Sequence, residues 1–133
     1  PIIAIVAFIA HPIGRTVWYF TLFWTIPIIA HFFRDRFLLA RALGATFTAH
    51  AVGGALWIWV FALPATVWIS LIPVVAMERA FFALGITGSF LLVNNLLGLV
   101  EKKHILNIGF YINQKYLIHS LRGYNETKTQ TLT

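Results

Sequence analysis

The sequence predicts an all-α, polytopic transmembrane helical bundle of about four spans, with a further, truncated one at the N-terminus. Three observations carry that expectation. Apolar residues make up 59% of the chain and charged ones 11%, where a soluble domain carries roughly 45–50% and about 25%. The mean hydropathy is +0.82. Windows free of Asp, Glu, Lys and Arg recur at 16–33, 42–77 and 80–100, each close to or above the roughly 20 residues that cross a bilayer core. A chain of 133 residues has too little interior to hide that much apolar surface from water. The same balance is the reverse of a disordered segment's.

Residues 1–11 open on Pro1 already inside an apolar run, with no initiator Met and no basic stretch before it. This is not the layout of a secretory signal. We read it as a cut or processed end and a partial span, so the span count is a lower bound. The window 16–33 is the first full span, with a kink expected at Pro27, whose ring blocks the preceding turn. The long window 42–77 divides at Pro64, which lacks an N–H and fits a helix start. That gives one span over 42–61 and the next over 64–83. Gly85 and Gly88 mark a break, and the last span covers 87–101. Residues 65–100 as one straight helix would be about 54 Å long, more than a membrane needs.

Residues 104–121 are apolar but interrupted by Asn107, Gly109, Asn113 and Gln114. They suit an interfacial helix or a short strand pair rather than a span. Residues 123–133 are polar and uncapped and are expected to be mobile. The chain therefore divides into a transmembrane domain, 1–103, and an interfacial segment with a polar tail, 104–133.

Ten Lys+Arg against four Asp+Glu give a formal charge of +6. The basic residues stand at the edges of apolar segments, as membrane-flanking charges do, so no nucleic-acid partner is expected. Arg34, Arg36 and Arg41 place the loop after the first full span in the cytoplasm and the Pro64 turn outside. The basic C-terminal segment favours the cytoplasm too, whereas two full crossings after Pro64 would put it outside. Its side stays open. Trp57, Trp59 and Trp68 bracket Pro64 and read as an interfacial belt, with Trp18 at the start of the preceding span. Trp24, mid-span, is expected to pack against protein. The chain has no Cys, which removes disulfide and thiolate chemistry.

Ionisable and amide groups inside apolar spans are costly and point to function. His50, Glu78 and Arg79 are the ionisable candidates; His31 sits beside Arg34 at the membrane edge. His50 stands 14 positions before Pro64 and Glu78 14 after it. In an antiparallel hairpin each lies about 21 Å from the turn, at one depth. The two either pair directly or flank one polar cavity. Because neighbouring helix positions point about 100° apart, Glu78 and Arg79 are not expected to face each other. Either Glu78 points inward while Arg79 reaches the headgroups, or both stand at the headgroups.

Thr46, His50 and Gly54 share one helix face. Ala45, Ala49 and Gly53 form an adjacent stripe of small residues of the kind that brings membrane helices together. His50 thus has two readings, a solute contact or a polar bond within a helix pair. Asn94 and Asn95 interrupt an apolar run and need partners. Asn94 is the candidate ligand contact, the alternative being a helix–helix hydrogen bond. No Walker A loop, H-E-x-x-H pair or G-x-S-x-G elbow occurs, and no catalytic residue or cofactor is assigned.

The stretch Thr46-Phe47-Thr48-Ala49-His50-Ala51-Val52-Gly53-Gly54-Ala55-Leu56 resembles the H-x-x-G-G-A-L segment of the integral-membrane substrate-binding components of energy-coupling-factor uptake systems, especially the cobalt/nickel type. The order that follows is similar as well: a short turn at Pro64, a helix with an embedded polar residue at Glu78, a glycine break at 85–88, and Asn94. The resemblance spans about residues 44–98. The N-terminal Met-His metal segment of that type is not in this sequence, so metal ligands stay unassigned. The resemblance implies uptake of a small solute, a vitamin or a metal ion, and docking on a separate transmembrane coupling partner. The site would then comprise His50, Glu78, Asn94 and Thr46 in a plasma-membrane protein. The alternative is a non-catalytic structural or assembly subunit, homo-oligomeric or held in a larger complex by Ala45, Ala49, Gly53 and Gly54. An enzyme using His50 and Glu78 as acid and base ranks behind both.

Overall fold

A computed structural model describes residues 1–102, 112–119 and 121. The described elements are helical, with no strand among them. In order they are α1 (Ile2–Ala10), α2 (Pro12–Thr16), a 3₁₀ segment (Trp18–Thr25), α3 (Ile26–Phe33), α4 (Leu38–Phe61), α5 (Ala65–Lys102) and a short 3₁₀ turn (Gln114–Tyr116). The chain forms two compact units, Pro1–Ile86 and Thr87–Thr133.

In the first unit, Pro12 forces His11 out of the helical region (ψ 137°) and opens α2, and the His11 ring accepts the Ile13 N–H at 3.3 Å. A Cβ at Gly14 would collide with the Phe8 carbonyl, so only glycine lets α2 fold back so closely on α1. The window 16–33 gives one helical run, Trp18–Phe33, too short to count as a span and not α-helical throughout. Its middle, Trp18–Thr25, winds as a 3₁₀ helix of 8 residues, long for that form. Thr21 and Thr25 donate their hydroxyls to the Trp18 and Leu22 carbonyls, each at 2.7 Å, which satisfies acceptors within the tighter winding. Pro27 therefore sits in the first turn of α3 rather than kinking a continuous helix.

The α4 helix begins four positions earlier than expected and ends where expected. Ala62 (φ 45°) takes the left-handed conformation that closes it, and Pro64 precedes α5. The core gathers around the 3₁₀ segment. Phe8 meets Trp24 and Trp68 edge-on at 5.0 and 4.9 Å between ring centroids, and Phe20 meets Trp68 at 5.0 Å, a favourable aromatic geometry. Phe47, Ala51, Ala55 and Ile58 supply the α4 side of this core. Trp24 packs against protein, as its mid-span place suggested. Trp68 does too, and so leaves the expected belt: it is buried, and its indole donates to the Leu63 carbonyl at 3.3 Å. Trp57 and Trp59 are exposed, and Trp59 ties α4 to α1 through the Ala7 carbonyl at 2.9 Å.

No break occurs at Gly85 or Gly88: α5 runs 38 residues, and its internal proline is Pro73. Neither glycine has a neighbour within 4 Å that would require one, and a single Gly costs a helix only about 1 kcal/mol relative to Ala. The expected separate spans 64–83 and 87–101 are thus one helix. Among the described residues two helices, α4 and α5, are long and apolar enough to cross a membrane, and only 33% and 11% of their most apolar windows are buried within the chain. A core helix of a water-soluble protein would be mostly covered. Four separate spans are not found among the described residues.

In the second unit, the end of α5 carries a returning segment held by two consecutive amides. Asn94 accepts the Asn113 N–H at 2.8 Å and donates to its carbonyl at 3.1 Å. Asn95 accepts the Ile118 N–H at 2.9 Å and donates to the Tyr116 carbonyl at 3.1 Å. Gly98 makes room for Leu117 and Leu121, whose side chains would lie 2.9 and 3.3 Å from a Cβ there. The remainder of the expected interfacial segment and polar tail lies outside the described residues.

Candidate functional site

The site is built from α4 and the first half of α5, within the first unit. A cavity of about 460 Å³ opens between them, with Phe20, Trp57 and Trp68 as aromatic walls and His50, Glu78 and Arg79 as polar groups. His50 and Glu78 therefore flank one cavity, as their equal spacing from Pro64 suggests. The cavity exists because large rings, rather than direct helix contact, hold α4 and α5 apart. Phe20 lies 5.8 Å and Trp24 6.3 Å from the His50 ring.

The charged pair is arranged differently from expectation. Glu78 and Arg79 do face each other, with Oε2 2.9 Å from Nη2. It is Arg79 that turns inward: its side chain is 18% exposed, against 46% for Glu78. The long arginine arm bends enough to overcome the 100° offset of adjacent positions. It is drawn in by three contacts, to the Glu78 carboxylate, to the face of Phe82 at 4.9 Å, and to the Thr46 hydroxyl of α4 at 3.4 Å. Thr46 is thus buried as the acceptor for Arg79. Five side-chain atoms among the described residues are buried without a hydrogen-bond partner: His50 Nε2 and Arg79 Nε on cavity-lining residues, and Trp24 Nε1, Thr87 Oγ1 and Tyr116 Oη elsewhere.

Asn94 belongs to the second unit, and its amide is engaged with the Asn113 backbone. This is a bond to backbone outside any helix rather than the helix–helix hydrogen bond expected as the alternative. The small-residue positions divide. Gly54 packs: a Cβ there would lie 2.6 Å from Trp24 Cζ2. Gly53 has nothing within 4 Å and lines the cavity. Ala45 and Ala49 are exposed, so the Ala45/Ala49/Gly53 stripe makes no tight helix contact among the described residues. The α4 face that does pack is Phe47, Ala51, Gly54, Ala55 and Ile58. Arg79 was visible as an ionisable group in an apolar run, but its inward direction was not.

Chemically, the cavity is lined by an imidazole, a guanidinium and a half-exposed carboxylate against aromatic walls. Among the described residues no group of three or more His, Asp or Glu side chains converges as metal ligands. The arrangement suits a small molecule with a flat apolar body and a polar or anionic group. No protein-family model, no curated protein and no solved structure matches the chain.

Proposed function

We propose that the chain is an integral protein of the plasma membrane that takes part in uptake of a small organic solute, held in the cavity between α4 and α5. The observation that carries this reading is the convergence of His50, Glu78 and Arg79 on one aromatic-walled cavity, with His50 Nε2 and Arg79 Nε buried beside it and without a partner. Buried polar atoms in native folds nearly always have partners, and a bound solute would supply them. The two long, poorly covered apolar helices support the membrane setting, and the resemblance of residues 44–98 to uptake components supports the class of activity. Arg79 and His50 hold the polar end of the solute, Thr46 and Glu78 hold Arg79 in place, and Phe20, Trp57 and Trp68 take its flat face. A separate transmembrane partner would couple binding to transport.

The test is thermal unfolding of the detergent-purified chain with a panel of water-soluble vitamins and small aromatic carboxylates. At least one should raise the midpoint in a concentration-dependent way. His50→Ala should fold with a near-normal midpoint and lose that response. A panel without any effect, or a response untouched in His50→Ala, refutes the site. A second reading, an assembly subunit, is favoured by the exposed Ala45 and Ala49 on α4. It predicts that Ala49→Leu disrupts a complex that His50→Ala leaves intact.

A further inference from the structure

A second cavity in the first unit is larger than the solute site. It is an open groove of about 830 Å³ between α3 and α4. Pro27, Ala30, His31 and Arg34 follow one another at helical spacing along its α3 wall, and Arg41, Gly44, Ala45 and Thr48 do so along its α4 wall. Its floor is small and apolar, and its mouth is basic. The mouth is ordered. Arg41 Nε donates to the Arg34 carbonyl at 2.8 Å, and Asp35 lies 3.3 Å from Arg41 Nη2 and 3.8 Å from Arg34 Nε. Arg34 Nη1 also reaches His31 Nδ1 at 3.4 Å. A carboxylate and a carbonyl thus hold two guanidinium groups side by side at the open end of a slot. Two arginines against one aspartate line the mouth and leave it cationic.

We propose that this groove binds an anionic phospholipid, its phosphate held by Arg34 and Arg41 and an acyl chain lying along Ala30, Gly44, Ala45 and Thr48. Paired guanidiniums match a phosphate diester's oxygens, and basic pockets between membrane helices are suited to such headgroups. Charge also decides against a second copy of this chain inserted in parallel, which would bring its own arginines against these. The inference rests on the membrane setting proposed above but not on the solute cavity, which shares only Ala49 with the groove.

The full chain is reconstituted in nanodiscs of equal phosphatidylglycerol and phosphatidylcholine, extracted mildly, and its retained lipid counted by native mass spectrometry. Phosphatidylglycerol should be retained in preference. Arg34→Gln and Arg41→Gln should each weaken that preference about fivefold, and the double variant roughly thirtyfold, while Arg36→Gln, outside the groove, changes it much less. Ala45→Phe should reduce retention with the arginines intact, and inorganic phosphate should not compete at millimolar concentration. Equal retention of both lipids, an unchanged double variant, or full competition by phosphate overturns the proposal. So does a lipid-independent oligomer that Ala45→Phe dissolves, which would make the occupant protein. Failure here leaves the solute-dependent midpoint shift untouched, so the two readings fall separately.

Discussion

Gly53 and Gly54 are adjacent in α4, equal in intrinsic cost, and opposite in surroundings. Replacing either by alanine removes the excess backbone entropy of glycine, a gain of roughly 0.5–1 kcal/mol in a helix interior. At position 53 nothing lies within 4 Å of the new Cβ, so the gain is kept. At position 54 the Cβ lands 2.6 Å from Trp24 Cζ2 and 3.3 Å from Cη2. Trp24 has no room to retreat: it is fully buried, with Phe8 at 5.0 Å and Phe20 at 6.2 Å between ring centroids. A rigid indole must shift by several tenths of an ångström inside a packed aromatic cluster, an overpacking cost of about 1–3 kcal/mol. Gly54→Ala should therefore lose about 1–2 kcal/mol net, while Gly53→Ala gains up to about 1 kcal/mol. Reversible unfolding in mixed micelles, followed by far-ultraviolet circular dichroism and tryptophan fluorescence, measures both. The fluorescence should redden in Gly54→Ala alone. A Gly54→Ala protein as stable as Gly53→Ala would refute the placement of Trp24 against α4.

Three further outcomes follow from the packing. Trp68→Ala should cost about 3–5 kcal/mol as a core truncation, and Trp57→Ala, exposed beside the cavity, under about 1 kcal/mol; equal costs in the same unfolding assay would return Trp68 to the membrane surface. Asn94→Ala should strip hydrogen-exchange protection from the Asn113 amide and Asn95→Ala from the Ile118 amide, each amide losing its side-chain acceptor, with protection across α4 unchanged. Arg79→Met should destabilise less than Arg79→Ala, because it keeps the packing of the arm over Phe82 while shedding the buried charge; unfolding midpoints of the two variants decide this, and the reverse order contradicts it.

Much of the architecture was legible because hydropathy and proline act locally. The α4 helix, the turn at Pro64 and the equal depth of His50 and Glu78 follow from charge-free windows and one rise per residue; that the two flank a cavity rather than pair depends on which faces meet, which those do not set. The 3₁₀ winding of Trp18–Thr25 was not legible, since aromatic and threonine residues are compatible with an α-helix until tertiary packing selects among forms. The supposed break at Gly85 and Gly88 failed for a related reason: two isolated glycines in an otherwise strong helix lower its propensity without ending it. Arg79 was misjudged because the direction of a long side chain is set by the partners it finds, here Thr46 from another helix. Asn94 was readable as needing a partner, but that partner, Asn113, lies 19 residues ahead in a segment without helical periodicity.

The energetics of the solute cavity bear on which of its groups matter. A buried polar atom left without a partner costs about 1–3 kcal/mol, and His50 Nε2 and Arg79 Nε are two such atoms in one place. If the arrangement served packing alone, the cheapest repair would be apolar residues of similar volume at both positions, which often stabilise a buried charge site. The chain instead keeps a guanidinium there and surrounds it with contacts that hold without saturating it: a carboxylate, a ring face and a hydroxyl. Together these fix the direction of Arg79, while its Nε–H stays buried without a hydrogen-bond partner. A group held in place yet incompletely bonded is what differential binding requires, because the solute then gains the hydrogen bonds without the cost of ordering the side chains that make them. That reasoning assigns Thr46 to positioning rather than to direct contact. Thr46→Val should accordingly weaken solute binding through a freer Arg79, and Thr46→Ser should restore it. Equal binding by Thr46→Val and the parent chain would show that Arg79 needs no such tether.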